Sequence, residues 1–212
     1  MSTTLTAQSI ASSLLDIKAI KLQPNNPFTW ASGWNSPIYC DNRLSLSFPE
    51  VREFITDKLA EEIKATFSNV EAIAGVATAG IPQGALVAAK LGIPFIYVRS
   101  KAKGHGMTNL IEGKVVEGQK VVVIEDLVST GGSSLKAVED LRAANIEVLG
   151  MAAIFTYGFD VADKNFEEAN VELLTLSNYE VLLKEAIEKG YVKAEDLEKL
   201  SAWRTSPSTW GK

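Results

Sequence analysis

The sequence predicts an α/β protein with a central, mostly parallel sheet that is flanked by helices. Between residues 72 and 189, short runs of apolar, β-forming residues alternate with amphipathic segments of helical length. Such alternation is typical of parallel strands joined by right-handed crossover helices. One run, Val121–Ile124, is uninterrupted and therefore indicates a strand buried on both faces of the sheet. At 212 residues, the chain is long enough for one such domain with a modest appendage.

The N-terminal part of the chain predicts an appendage to this domain. An amphipathic helix begins near Thr6, and the Pro- and aromatic-rich segment Gln23–Arg43 follows it. In that segment, two extended pieces, Phe28–Trp30 and Ile38–Cys40, flank a Ser-Gly turn and predict a small antiparallel ribbon. Gln23–Arg43 is named the hood here, because we expect it to lie over the main domain. We expect residues 1–46 to hold the first helix and the hood, and residues 47–212 to form the α/β core with a C-terminal helical tail.

The core elements follow in chain order. A capping-box pattern at Ser47–Glu50 predicts the start of a helix. The predicted elements are the helix from there to Thr66, strand Ala72–Val76, helix Ile81–Leu91, strand Pro94–Val98, strand Val121–Ile124, helix Ser134–Ala144, strand Val148–Phe155, helix Val161–Ala169, strand Val171–Leu176, helix Asn178–Lys189 and a short helix in the tail Lys193–Lys212.

The composition argues against several classes of protein. A net charge of −5 disfavours broad nucleic-acid binding, which needs a basic surface. No apolar run approaches the length of a membrane span, so we expect no membrane association. Cys40 is the single cysteine; no intramolecular disulfide is possible, which favours a reducing compartment. We therefore expect a soluble, cytoplasmic protein.

The most informative segment begins at the end of the apolar run. Glu125 and Asp126 follow Val121–Ile124 directly, at the position where open α/β sheets place their ligands. A Ser/Thr/Gly loop then leads into a helix near Ser134, and the backbone N–H groups of such a helix start bind phosphate. The two carboxylates would repel that phosphate, so we expect them to bind a neighbouring group, such as the two hydroxyls of a ribose, or a metal ion. A phosphate cradle beside a diol clamp predicts a 5-phosphoribosyl site.

Two further segments suit such a site. Arg99–Gly113 is a long loop rich in cations and glycines, and a loop of this length in a compact domain is functional or disordered. Cations that close over the site would stabilise negative charge on a leaving group, whereas the alternative is a solvated charged loop. The turn Ala77–Pro82 also presents N–H groups to an anion, although a tight structural turn would explain it equally well. The candidate residues of the two segments are Arg99, Lys101, Lys103, His105, Thr78 and Ala79.

Several of these motifs resemble those of a known family. The order apolar strand, Glu-Asp, two residues, Ser-Thr-Gly-Gly-Ser resembles the 5-phosphoribosyl 1-pyrophosphate (PRPP) signature of the type I phosphoribosyltransferases. TWASGWNSPIYCDNR, ATAGIP, VRSKAKGHG and IEDLVSTGGSS resemble orotate phosphoribosyltransferases, in the same order and with similar spacing. The resemblance implies the type I phosphoribosyltransferase fold and transfer of phosphoribose from PRPP to orotate. It also implies Mg²⁺ carried on the pyrophosphate, with no direct protein ligand, and a homodimer in which loop 99–113 reaches the partner's site.

The resemblance also implies roles for individual residues. Glu125 and Asp126 would hold the ribose hydroxyls, and Lys103 and His105 would contact the pyrophosphate; these four are the expected catalytic residues. Ser129 would also touch orotate, whose carboxylate has Arg43 and the hood amides as candidate partners. The expected PRPP-binding residues are Arg99, Lys103, His105, Glu125, Asp126, Leu127, Val128, Ser129, Thr130, Gly131, Gly132 and Ser133, with Lys101, Thr78 and Ala79 as further candidates at the pyrophosphate.

Two other functions compete with this interpretation. A phosphoribosyltransferase for another base, such as a purine salvage enzyme, would keep the PRPP site and change the hood; the hood residues disfavour it. A non-catalytic, PRPP-sensing regulator would share the fold but would have no leaving group for a cationic loop to stabilise. A DNA-binding regulator would also add a helix-turn-helix and a basic face, and the acidic composition disfavours it.

Overall fold

The computed structural model describes residues 4–30, 32–101 and 110–211. Two 3₁₀ helices, Asn42–Ser47 and Ala194–Asp196, accompany the regular elements. Those elements are α1 (Thr4–Asp16), β1 (Ile20–Leu22), β2 (Phe28–Thr29), β3 (Asn35–Ser36), β4 (Ile38–Cys40), α2 (Pro49–Thr66), β5 (Ala72–Val76), α3 (Gly80–Leu91), β6 (Phe95–Val98), β7 (Ile111–Glu112), β8 (Lys120–Val128), α4 (Gly132–Ala143), β9 (Glu147–Thr156), α5 (Asp160–Glu168), β10 (Leu173–Asn178), α6 (Tyr179–Glu188) and α7 (Leu197–Thr205).

The central sheet has the strand order β10-β9-β8-β5-β6-β7. Its strands are parallel except for β7, which pairs antiparallel with β6 at the edge. Strand β8 lies in the interior between β5 and β9. The predicted fold class, a mostly parallel sheet flanked by helices, is confirmed.

Helices cover both faces of this sheet, and the apolar run of β8 contributes side chains to the core on each face. Val122 and Ile124 belong to the core cluster that contains residues of α1, α2, α3 and α6. Val121 and Val123 belong to the cluster on the other face, with residues of α4 and α5. This division follows from the period of two along a strand, and all four side chains are fully buried. No helix within the described ranges is long and apolar enough to cross a membrane.

Strand β8 is longer than the sequence predicts, so Glu125 and Asp126 lie within the strand rather than after it. Its pairing with β9 continues to Val128, which lies opposite Thr156. The prediction that Glu125 and Asp126 follow the strand is therefore wrong, because the neighbouring strand holds them in extended conformation. The two carboxyl groups remain close enough to share a side-chain hydrogen bond. The other predicted core elements begin and end within about two residues of their predicted bounds, and the short β7, at the end of the predicted loop Arg99–Gly113, was not predicted.

Two local predictions near the N-terminus are also wrong. The piece Phe28–Thr29 pairs with Asn35–Ser36, whereas Ile38–Cys40 pairs with Ile20–Leu22. The second pairing brings two buried isoleucines, Ile20 and Ile38, to neighbouring strands. This burial depends on a contact between separate segments, which the local sequence pattern does not reveal.

The capping box at the start of α2 does not form either. Phe48 is the N-cap residue, and its side chain makes no capping hydrogen bond. Ser47 ends the preceding 3₁₀ helix instead. The helix begins at Pro49, whose fixed φ and missing N–H suit the first helical position.

Candidate active site

Glu125 is a buried acid at the carboxyl end of β8. Its side chain is 6% exposed; one oxygen accepts from Ser134 Oγ at 3.0 Å and the other from the main-chain N–H of Asp126 at 3.1 Å. Burial, and then the charge of Asp126, raise the pKa of Glu125 to about 8. A carboxyl group kept in this state costs folding energy, which is typical of a functional position.

Asp126 is the second acid of the pair and is also mostly buried. Burial raises the pKa of Asp126, and the side-chain hydrogen bond with Glu125 and the nearby guanidinium of Arg43 oppose that rise. The main-chain oxygen of Asp126 accepts a hydrogen bond of 2.7 Å from Asn42 Nδ2. The hood is therefore bonded directly to the strand segment that carries the two acids.

A tight turn connects β8 to α4, and contacts at both ends hold it in place. The main-chain oxygen of Val128 accepts from Tyr157 N–H at 3.2 Å and from Thr156 Oγ1 at 3.1 Å. The oxygen of Thr130 accepts from Asn165 Nδ2 at 2.9 Å. Gly131 caps α4 with φ of +81°, a conformation that favours glycine.

The first turn of α4 is built to receive an anion. The first bond of the helix runs from Leu135 N–H to the oxygen of Gly131, so the N–H groups of Gly132, Ser133 and Ser134 precede the intrahelical bonds. Gly132 and Ser133 are exposed. Their N–H groups and the positive end of the helix dipole suit a phosphate.

The turn that contains Thr78 and Ala79 lies beside the same strand. A Cβ atom on Gly80 would stand 2.3 Å from the oxygen of Ile124 and 3.4 Å from the Cα of Glu125. Only glycine permits this approach of α3 to β8. The start of α3 is thereby placed next to the carboxylate pair, and a cis peptide bond joins Ala77 and Thr78 just before the helix.

A cavity of about 310 Å³ separates the hood from the end of β8. Trp30 forms part of its wall, stacks on Tyr157 with ring centroids 5.3 Å apart, and donates from Nε1 to the oxygen of Ile38 at 3.1 Å. Burial raises the pKa of Tyr157 and of Cys40 well above their ordinary values, so both remain protonated near neutral pH. The lining residues are Thr29, Trp30, Tyr39, Cys40, Leu127, Ser129 and Tyr157. Aromatic walls with a few polar groups suit a flat ring.

A second cavity of about 310 Å³ adjoins the first turn of α4 and is bordered by cations. Ser133, Arg99 and Lys101 line it, and so does Lys136, which the sequence reasoning missed. The spacing of three residues from Ser133 along a helix is the signal that places Lys136 there. Arg99 also approaches Glu112 at 3.3 Å. Lys103 and His105 lie outside the described residues.

Arg43, the candidate partner of the orotate carboxylate, lies at the surface of the hood. Its side chain is 58% exposed and pairs with Asp41 through a contact of 2.6 Å. It is not among the residues that line the hood cavity. The aromatic lining residues Trp30, Tyr39 and Tyr157 were missed as site residues, although the aromatic-rich composition of the hood was a signal for the first two.

Comparison with known proteins identifies the family. The family model "Phosphoribosyl transferase domain" matches residues 49–181. An orotate phosphoribosyltransferase of Porphyromonas gingivalis is 60% identical over 202 residues, covering 95% of this chain and 96% of that protein. One of Cytophaga hutchinsonii is 59% identical over 203 residues, covering 96% and 97%. The crystal structure of orotate phosphoribosyltransferase from Aeropyrum pernix superposes with a TM-score of 0.75 at 29% identity, over 87% of this chain and 99% of that one. The chain therefore belongs to the phosphoribosyltransferase family and, within it, to the orotate phosphoribosyltransferases.

Proposed function

We propose that this chain transfers the 5-phosphoribosyl group of PRPP to orotate, giving orotidine 5′-phosphate and pyrophosphate for pyrimidine synthesis. The observation that carries the proposal is the position of Ser129, which belongs to the turn before α4 and also lines the hood cavity. A flat base in that cavity would face C1 of a ribose whose phosphate lies at the start of α4. Donor and acceptor would thus meet at one residue.

The donor side orients the sugar. Ribose hydroxyls would donate to Glu125 and Asp126, while the N–H groups from Ser129 to Ser133 receive the 5′-phosphate. As the bond from C1 to pyrophosphate breaks, positive charge develops on C1 and the ring oxygen, as in glycoside chemistry. Asp126, and Glu125 when it is ionised, would stabilise that charge. The new bond forms to a ring nitrogen of orotate, and the proton on that nitrogen passes to the departing pyrophosphate. Binding both reactants side by side also supplies much of the rate by orientation.

The leaving pyrophosphate takes the electron pair of the broken bond, so its charge must be stabilised. Arg99 and Lys101 border the second cavity. We propose that they, with Lys103 and His105 of the same loop, stabilise the pyrophosphate that the partner subunit binds, whereas the turn at Thr78 and Ala79 contacts the pyrophosphate of its own subunit. Within residues 4–30, 32–101 and 110–211, no group of three or more His, Cys, Asp or Glu is placed to hold a metal. We propose that the pyrophosphate oxygens, which are the hard ligands that Mg²⁺ prefers, would hold this ion, which would supply positive charge against the leaving group.

Orotate and its carboxylate are the acceptor side of the proposal. Tyr39 and Tyr157 would pack on the faces or edges of the pyrimidine, and Ser129 would donate to it. Arg43 and hood N–H groups stay candidates for the carboxylate. A cytoplasmic location also stays a prediction.

The first experiment follows orotate directly. Purified protein is mixed with PRPP, Mg²⁺ and orotate, and the fall in orotate absorbance is recorded, with hypoxanthine and uracil as parallel acceptors. We expect a PRPP-dependent loss of orotate that EDTA abolishes. Turnover of hypoxanthine or uracil without orotate would instead assign the hood to another base, and PRPP binding without any turnover would point to a sensor.

We further propose a homodimer in which loop 99–113 completes the partner's site. The Lys103→Ala and Asp126→Ala variants should each be nearly inactive, because one lacks the loop cation and the other the ribose clamp. Mixing them should restore activity up to roughly a quarter of the wild-type sites, the fraction that receives both intact parts in a two-fold dimer. Failure to restore activity after proven subunit exchange would contradict the shared loop.

A further inference from the structure

Asn42 connects the hood to the acid-bearing strand. Its side chain is 1% exposed, and Nδ2 donates to the main-chain oxygen of Asp126, 84 residues away, at 2.7 Å. Its Oδ1 lies 3.3 Å from Cys40 Sγ, which acts as the donor, and Cys40 lines the hood cavity. A short chain of contacts therefore runs from the cavity wall through Asn42 to Asp126.

The strand segment that receives this bond has a strand neighbour on one side only. Strand β5 pairs with β8 as far as Ile124, whereas β9 continues to Val128. Beyond Ile124, the position of the acids therefore depends on β9 alone within the sheet and on contacts from outside it. Asn42 provides one such contact, since the 3₁₀ helix that it begins leads from the hood into α2.

Asn42 is itself firmly held, which a positioning role requires. Its main-chain oxygen accepts from Ser45 Oγ at 2.6 Å, and its side-chain amide uses both of its ends. A buried amide with satisfied partners has a single favourable orientation. A shift of the hood would therefore be transmitted to Asp126 rather than absorbed by rotation of the side chain.

We propose that Asn42 is a positioning residue that couples the hood cavity to the ribose clamp, so that a base in the cavity and a ribose at Glu125–Asp126 bind with positive cooperativity. This inference rests on the proposed function, because it assumes that the two places hold acceptor and donor. Neither ligand touches Asn42 in this arrangement. Its effect is an energetic coupling, which must be equal whichever ligand binds first.

The coupling is measured with a pair of ligands that cannot react. Ribose 5-phosphate carries the hydroxyls and the phosphate of PRPP but has no pyrophosphate to leave. Orotate binding is titrated calorimetrically with and without saturating ribose 5-phosphate, on wild type, Asn42→Leu and Asn42→Ala. Leucine keeps the branching of asparagine but is larger, and alanine is smaller, so agreement between the two variants assigns the effect to the lost hydrogen bond rather than to packing.

We expect ribose 5-phosphate to tighten orotate binding by about five-fold or more in the wild type, and by less than about two-fold in both variants. Asn165→Ala is the matched control, because it removes another amide-to-carbonyl bond, to Thr130, that does not come from the hood. It should weaken ribose 5-phosphate and keep the coupling. A merely structural role would lower the melting temperature and leave the coupling factor unchanged.

The outcomes separate the two proposals. Wild-type coupling that persists in either folded Asn42 variant, or a wild type without coupling, overturns the role of Asn42. Wild-type protein that shows the coupling but does not turn over PRPP and orotate contradicts the proposed function alone. A wild type that does not bind orotate, either with or without saturating ribose 5-phosphate, overturns both proposals.

Discussion

The two walls of the hood cavity are built in opposite ways. On one side, Leu127 and Ser129 belong to the continuous stretch from Glu125 to Ser134. Hydrogen bonds hold this stretch in place, and its two acids, Glu125 and Asp126, have raised pKa values. On the other side, Trp30 and Tyr157 come from distant segments and meet Trp203 of α7 in a cluster of ring contacts. The first is named the acid wall and the second the aromatic wall.

The aromatic wall therefore contributes mainly to stability, and the acid wall mainly to the chemistry of the site. Rings buried against one another contribute apolar burial and favourable edge-to-face geometry. Buried carboxyl groups lower the stability of the folded state instead, because desolvation penalises their charged form. Changes in the aromatic wall should therefore lower stability and acceptor binding, whereas removing a charge from the acid wall should raise stability and lower activity.

The largest expected effect is on the aromatic wall, in Trp203→Ala. Trp203 is fully buried, and its ring lies within 5.6 Å, centroid to centroid, of four neighbouring rings. Its truncation should reduce the free energy of unfolding by about 3–5 kcal/mol, measured by denaturant titration. Because Trp30 loses an edge contact, the KM for orotate should also rise more than the KM for PRPP.

Trp210→Ala is the matched control, since this second tail tryptophan is only partly buried. It should cost clearly less than Trp203→Ala. Equal losses in the two variants, or a Trp203→Ala effect on PRPP as large as that on orotate, would contradict the division between the walls.

The second prediction concerns Glu125→Gln on the acid wall. The folded-state pKa of about 8 lies above the ordinary 4.5, so the unfolded chain releases this proton first as pH rises. The wild type should therefore lose stability between about pH 4.5 and pH 8, by about 2–4 kcal/mol from this group, and no further above pH 8. Glutamine does not titrate, and the variant should lack this loss while its kcat/KM falls by about 10²–10³-fold.

Glu139→Gln serves as its control, because this exposed acid pairs with Lys136 at the surface. Its pH profile of unfolding should match the wild type within about 0.5 kcal/mol. If Glu125→Gln and the wild type lose stability in parallel from pH 5 to pH 8, the raised pKa is not the cause.

The acid wall could be predicted from the sequence because it is local. Its residues occupy consecutive positions from Glu125 to Ser134, and an apolar run, two acids and a Gly-rich helix start each have a direct structural meaning. Only the end of β8 was misplaced. The extension to Val128 depends on pairing with β9, a contact between segments that no single stretch of sequence specifies.

The aromatic wall could not be predicted for the same physical reason. Tyr157 and Trp203 look like ordinary core residues in the sequence, and both are indeed buried. Their relation to Trp30 arises only when β9, α7 and the hood meet. The pairing of β4 with β1 and the Asn42 bond to Asp126 are equally long-range and equally hidden.

The smallest expected effect tests whether the acid wall depends on main-chain conformation as well as on charge. Gly131 has φ of +81°, and a Cβ atom there would lie 2.7 Å from Cε2 of Phe166. Gly131→Ala should cost about 1–2 kcal/mol of unfolding free energy through the left-handed conformation, more if Phe166 cannot move. The adjacent Gly132 has no heavy atom within 4 Å of such a Cβ, so Gly132→Ala should be neutral or slightly stabilising. Denaturant titration of the two variants compares the same methyl group one residue apart. If Gly131→Ala costs no more than Gly132→Ala, the turn tolerates a side chain at Gly131, and charge alone defines the acid wall.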